Sequence, residues 1–182
     1  MKAVKMPGQE IEMAGDRREH IQIDAKVLSN LFLEWSEVEK IPLSPMKLQK
    51  LLYFCHADYL AEFRIPILKQ AFEAWEFGPV VPSVYQEFKK FGNQPITVRA
   101  YSFNPLTAEK SISIAVIPHS VLDQLRLSYD KYKGFGAIAL SHLSHIPFGP
   151  WRQARSMFAN GLNADRRISD EMILRFHAFS DE

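Results

Sequence analysis

Leu48-Gln49-Lys50-Leu51-Leu52-Tyr53-Phe54 opens a stretch that runs through Phe72-Glu73-Ala74-Trp75-Glu76-Phe77-Gly78-Pro79-Val80 and closes on Tyr85-Gln86-Glu87-Phe88-Lys89-Lys90-Phe91-Gly92. An apolar helix, a Trp-bearing piece, a Gly-Pro break and a second helix follow one another there without slack. Ser44 is placed to cap the first helix, and Pro45 suits its first position, where a missing N–H costs nothing. Leu48, Leu51, Leu52, Cys55, Tyr59, Leu60 and Phe63 form a stripe wide enough for a central, buried helix. It should end near Arg64, because Pro66 disfavours a helical Ile65. For Phe72 to Phe77, helix and short strand both fit, and Gly78-Pro79 stops the element either way. Pro82 and Ser83 start another helix with Val84, Tyr85, Phe88 and Phe91 inward, and Gly92 is a natural residue to follow its end.

Upstream, Asp24 reads as the N-cap of a helix carrying Val27, Leu28, Leu31 and Trp35 at helical spacing, with Pro42 and Pro45 marking the break after it. Residues 1–22 hold four basic and four acidic side chains with Gly8 and Gly15, and read as a flexible arm. Downstream the period changes. Ile96, Val98 and Ala100 alternate, as do Ile112, Ile114 and Val116, and Asn104-Pro105-Leu106-Thr107 lies between, which predicts a β-hairpin. Helices resume at His119, through Val121, Leu122, Leu125 and Tyr129, and stop before Gly134 and Gly136. Ala137 to His145 is the next, residues 151–159 form a short one after Pro150, and Ser169 caps a last one through Met172, Ile173, Phe176 and Phe179. The expected class is α+β, mainly α: one compact domain over residues 23–182 with one small antiparallel hairpin.

The chain has 182 residues, enough for one domain with a sizeable core and no covalent or metal staple. Its 22 basic and 21 acidic side chains leave a net charge of +1, so no global field draws it to nucleic acid or an anionic membrane. Cys55 is the single cysteine, which offers no internal disulfide. The first residues lack an apolar signal core, and the apolar runs fall short of the ~20 residues that span a bilayer. A cytoplasmic, soluble protein is the expectation.

Phosphate-loop, dinucleotide, zinc-protease, paired-cysteine and nucleophile-elbow motifs are all missing from the sequence. His142 and His145, at i,i+3 on one helix, could share a metal only if Asp58, Glu73 or Glu76 joined them. Two His without a spaced third ligand are a weak signal, and His145 near a helix C-terminus reads better as a donor to open carbonyls. Cys55 lies on the apolar stripe, and His56 points about 100° away on a helix, so a small packed thiol fits better than a nucleophile. Glu73 and Glu76 flank Trp75 and read as rim carboxylates. Arg152, Arg155, Arg166, Arg167 and Arg175 are offset by Asp165, Asp170 and Glu171, which reads as a solvated face. Tyr53, Trp75, Phe77, Tyr85 and Trp151 stand near breaks or helix ends, as interface anchors do. For Trp75 and Trp151 the alternative is a plug in the core.

These motifs resemble the Panacea, or SocA-like, antitoxin domain family, which also includes phage-associated proteins. The resemblance rests on Lys47 to Phe54, on Ala74 to Val80 with Pro82 and Tyr85, on Phe91-Gly92, and on Leu140-Ser141, His145 and Pro150-Trp151. Ser144 precedes His145 where the family tends to have Thr, and keeps the hydroxyl. The resemblance covers residues 24–178 and implies a bacterial or phage antitoxin, not an enzyme, that neutralises a cognate protein toxin by direct contact and needs no cofactor. Some members of the family are thought to act as adaptors that present the toxin to a protease. On this reading the partner surface comprises Trp75, Glu76, Phe77, Gly78, Pro79, Val80, Tyr85 and Trp151, with the hairpin and the arm as further places for partner choice. A homodimer is compatible with the sequence, and a nucleic-acid partner is disfavoured by the lack of a basic recognition helix.

Overall fold

The computed structural model describes residues 21–178. Its axis is the helix Pro45–Phe63 (α2), which 14 buried residues out of 19 place in the interior on nearly every side. It starts as the local chemistry dictates. The Ser44 hydroxyl accepts from Lys47 N, Pro45 takes the first turn, and Arg64 closes the helix in the left-handed conformation with its N–H on Leu60 O. Around α2 pack Ala25–Glu39 (α1), Pro82–Phe88 (α3), His119–Tyr132 (α4), Ala137–Ser144 (α5) and Asp170–Ala178 (α7). A single 3-10 turn, Lys89–Phe91, extends α3, and Gly92 ends it at φ 57°. Pro150–Ala159 (α6) leans on the sheet described next.

The polar residues that α2 buries all find partners, as burial demands. Lys47 Nζ donates to Lys133 O, and Lys50 Nζ donates to Pro79 O. Gln49 Nε2 donates to Val81 O while its Oε1 accepts from Val81 N. Leu68 N donates to His56 Nδ1, so Nε2 carries the ring proton and donates it to Asp170 Oδ1. Each bond ties the central helix to a strand, loop or helix elsewhere in the chain.

The ambiguous segment is a strand. Phe72–Trp75 (β1) pairs antiparallel with Gly78–Val80 (β2) through a two-residue turn, Glu76-Phe77, and on its other edge with Arg167–Ile168 (β5). Burial alternates along β1, with Phe72 and Ala74 inside, which is the pattern of a strand and not of a helix. The predicted hairpin exists but is displaced. Its strands are Tyr101–Asn104 (β3) and Glu109–Ile112 (β4), not 96–100 and 112–116, with Tyr101 opposite Ile112 and Asn104 opposite Glu109. The alternating residues do other work. Ile96 N donates to Leu43 O and Ala100 N to Asn30 Oδ1, pinning that run to the helices, while Ile114 and Val116 are 81% and 94% exposed. The mainly helical α+β class stands, with two small antiparallel sheets among the described residues where one hairpin was expected.

Asn30 holds the base of that hairpin. Its amide donates to Ala100 O at 3.0 Å and Ser113 O at 2.9 Å, and its oxygen accepts from Ala100 N at 2.7 Å. Asn30→Ala leaves Ala100 N and Ser113 O without this partner, while Ala100 O keeps its bond from Ser113 N, and we expect the change to cost about 2 kcal/mol. Urea unfolding checks this. A change below ~0.5 kcal/mol would mean that water replaces the side chain.

Asp24 caps α1 as expected, accepting from Lys26 N, and Gln70 clasps the same end from 46 residues away. Ser169 caps α7 by accepting from Met172 N. Phe179 and residues 1–20 of the expected arm lie outside the described residues. Ile21 packs against the core, and Ile23 bridges to Leu68.

Candidate functional site

The turn between β1 and β2 is held from several sides. Gly78 sits at φ 107°, a conformation open to glycine, and a Cβ there would lie 2.7 Å from both Lys50 Nζ and Ser144 Oγ. Ser141 Oγ donates to Phe77 O at 2.9 Å, so α5 grips the turn from behind. Lys50 Nζ donates to Pro79 O at 3.0 Å and ties the next carbonyl but one to α2. Trp151 Nε1, from α6, donates to Trp75 O at 2.7 Å, and its ring stacks on His145 with centroids 3.7 Å apart. Three helices thus fix one hairpin.

On the other side of this hairpin lies an open, mainly apolar cleft of about 380 Å³. Trp75, Phe77, Val80 and Tyr85 form its walls together with Pro45 and Met46 at the start of α2. The Trp75 and Tyr85 rings meet edge-on at 4.8 Å, and Trp75 Nε1 donates to Glu73 Oε2, which fixes the indole. Gln49 and Lys50, both buried, line it from α2, and exposed Glu76 and Lys89 stand at its rim with Gly92. Burial pulls the Lys50 ammonium down to about 7 from its ordinary value of 10.5.

Of the residues expected at the partner surface, Trp75, Glu76, Phe77, Val80 and Tyr85 come together around this cleft. Gly78 and Pro79 are buried behind it as the frame of the turn, and Trp151 braces that frame from α6. Sequence reasoning did not single out Lys50, Gln49, Met46 or Lys89 as site residues. One signal was present for Lys50: a charged side chain inside an apolar helix, three residues after Lys47.

The alternative chemistries find less support. His145 lies on the Trp151 ring, its Nε2 is buried without a hydrogen-bond partner among the described residues, and burial followed by the Lys50 charge lowers its pKa. His142 is exposed on α5, and no group of three or more metal-ligating side chains occurs among the described residues. Cys55 is fully buried, and burial raises its thiol well above the usual value, so its geometry is that of core packing. Glu73 is bound to the Trp75 indole while Glu76 stands exposed in the turn. Arg155 lies over Trp151 and Arg166 over Phe158, and Arg167 and Arg175 pair with Asp165 and Glu171. No helix among the described residues is long and apolar enough to cross a membrane.

A family model described as "Antitoxin SocA-like, Panacea domain" matches residues 48–152, which include α2 from Leu48 onward, the β1–β2 hairpin, α3 and Trp151. Among characterised proteins the chain is similar to Antitoxin SocA of Caulobacter vibrioides (strain NA1000 / CB15N). The two are 33% identical over 157 residues, a match that covers 83% of this chain and 80% of that protein. No solved structure matches the chain at a significant level.

Proposed function

The chain belongs to the SocA-like, Panacea-domain antitoxin family, and on that premise we propose that it neutralises a cognate protein toxin by direct contact, with the cleft beside the β1–β2 turn as the centre of the contact. The observation that carries the antitoxin reading is the similarity to Antitoxin SocA along four-fifths of both chains. The site fits recognition better than conversion. It is an apolar, aromatic-walled cleft on a rigid frame, with a few polar groups around it. A standard interface covers ~1,600 Å² in total, so the cleft supplies the centre and the neighbouring surface supplies the rim.

The test is co-expression with the product of the adjacent gene. Growth rescue together with a stable co-purified complex supports the reading; a neighbour that is neither toxic nor bound counts against it. Toxin half-life with and without this protein distinguishes masking from delivery to a protease, since masking alone leaves the half-life unchanged.

Phe77 gives the sharpest local check. Its side chain is 64% exposed while its carbonyl is held by Ser141. Phe77→Ala should therefore shift stability by less than ~0.5 kcal/mol. Removing an aromatic anchor at the centre of an interface should weaken toxin binding by about tenfold or more. Titration calorimetry with the purified toxin reads this directly, and unchanged affinity would move the contact away from the turn.

A further inference from the structure

We infer that the cleft receives an acidic side chain of the partner, carried beside an apolar residue, and that Lys50 is the group that reads its charge. This rests on the antitoxin reading above and specifies its chemistry.

Lys50 is 1% exposed, yet among the described residues its amine makes a single hydrogen bond, to Pro79 O at 3.0 Å. An ammonium carries three donors. No carboxylate lies within ion-pair distance of it among the described residues, whereas Lys26, Lys131 and Lys133 each sit on one. Gly78 and Ser144 wall the amine on the hairpin and α5 sides, and Lys50 lines the cleft. A buried cation without a counter-ion is costly, and natural folds seldom keep one without a use.

The rim repeats the pattern. Lys89 is exposed there and has no ion-pair partner among the described residues, and Glu76 is the single acidic residue lining the cleft. Two basic side chains against one acidic one bias the site toward positive charge in a chain that is otherwise nearly balanced. The walls set the second requirement. Trp75, Phe77, Val80, Tyr85 and Met46 present mainly apolar surface, which favours a carboxylate that arrives with an apolar neighbour. Because the cleft opens onto the exposed Glu76-Phe77 turn, a continuous chain can cross it and dip one acidic side chain inward.

The probes are two peptides, acetyl-Leu-Glu-Leu-amide and acetyl-Leu-Gln-Leu-amide, titrated into the full chain while the three tryptophan indole N–H signals are followed by NMR. We expect the Glu peptide to shift the Trp75 signal and to bind about tenfold more tightly than the Gln peptide, the discrimination that a hydrogen bond to a charged group provides. Lys50→Met should abolish that preference, and Lys89→Glu, at an exposed position, should weaken it without disturbing the fold. Equal binding of the two peptides, no shift at Trp75, or a preference that survives Lys50→Met would each overturn the inference, as would selective binding of a peptide whose only carboxylate is its own C-terminus. The toxin assay separates the two levels. A Lys50→Met protein that still rescues growth leaves the antitoxin reading intact and removes the Lys50 contact. A clear Glu preference in a protein that rescues nothing does the reverse.

Discussion

Trp151→Ala should lower stability by about 3 kcal/mol and loosen the cleft that Trp151 itself does not line. The indole makes three separable contributions. Its N–H donates to Trp75 O at 2.7 Å, its face stacks on His145 at 3.7 Å, and Arg155 covers the ring at 5.1 Å. Large-to-small changes at buried Trp cost roughly 3–5 kcal/mol, and the low end applies because this ring is half-buried. For a chain of this size, ~3 kcal/mol lowers the melting temperature by about 6–12 °C. The functional loss should exceed the stability loss, because the removed bond holds the residue that carries the Trp75 wall. Trp151→Phe separates the parts: it keeps most of the stacking, loses the hydrogen bond, and should cost about 1 kcal/mol. If the alanine variant melts within ~2 °C of the parent, the indole is not the brace of the hairpin.

The two expectations for Trp151, core plug or interface anchor, both describe part of what it does. A sequence cannot separate them, because the difference lies in which carbonyl the indole meets, and that carbonyl is 76 residues away. Helix starts were legible for the opposite reason. Asp24, Ser44 and Ser169 satisfy backbone N–H groups two or three residues on, so their chemistry is complete within one turn of chain. The β3–β4 hairpin was misplaced because alternation predicts a strand through burial of one face. Here Ile112, Ile114 and Val116 are exposed, so their alternation marks no core face. The cleft beside the β1–β2 turn was half legible. The Gly-Pro break with aromatics around it announced a rigid turn, while the base of the cleft is built from α2, whose lysines read as ordinary helix residues until Pro79 is folded over them.

Lys50→Met should make the protein more stable at pH 6.5 by about 3 kcal/mol, and that advantage should vanish by pH 10. Burial holds the Lys50 pKa at about 7 in the folded chain, against 10.5 when exposed. Between these values the unfolded chain binds the proton and the folded chain does not, so wild-type stability rises with pH across that window. Below pH 7 both states are protonated and the full cost of burying the charge is felt. At about 1.4 kcal/mol per unit the full shift is worth roughly 5 kcal/mol, of which the interval from pH 6.5 to 10 samples about 4, less about 1 kcal/mol because methionine also loses the bond to Pro79 O. His145 titrates below this window, since burial and the Lys50 charge lower it, while burial pushes Tyr129 and Tyr132 up to about 12 and Tyr53 higher still. Lys50→Met also removes the charge that helps lower His145, so the difference between the two proteins reads Lys50 most cleanly at pH 8 and 10, and urea unfolding at pH 6.5, 8 and 10 measures it. Parallel curves for the two proteins would mean that Lys50 keeps its proton at no cost, through water that reaches it from the cleft. A converging pair would show a site that gives up stability near neutral pH to keep an amine in an apolar floor. A carboxylate arriving there would then recharge the amine and take up a proton, so that toxin binding through this contact strengthens as the pH falls from 8 to 6.5.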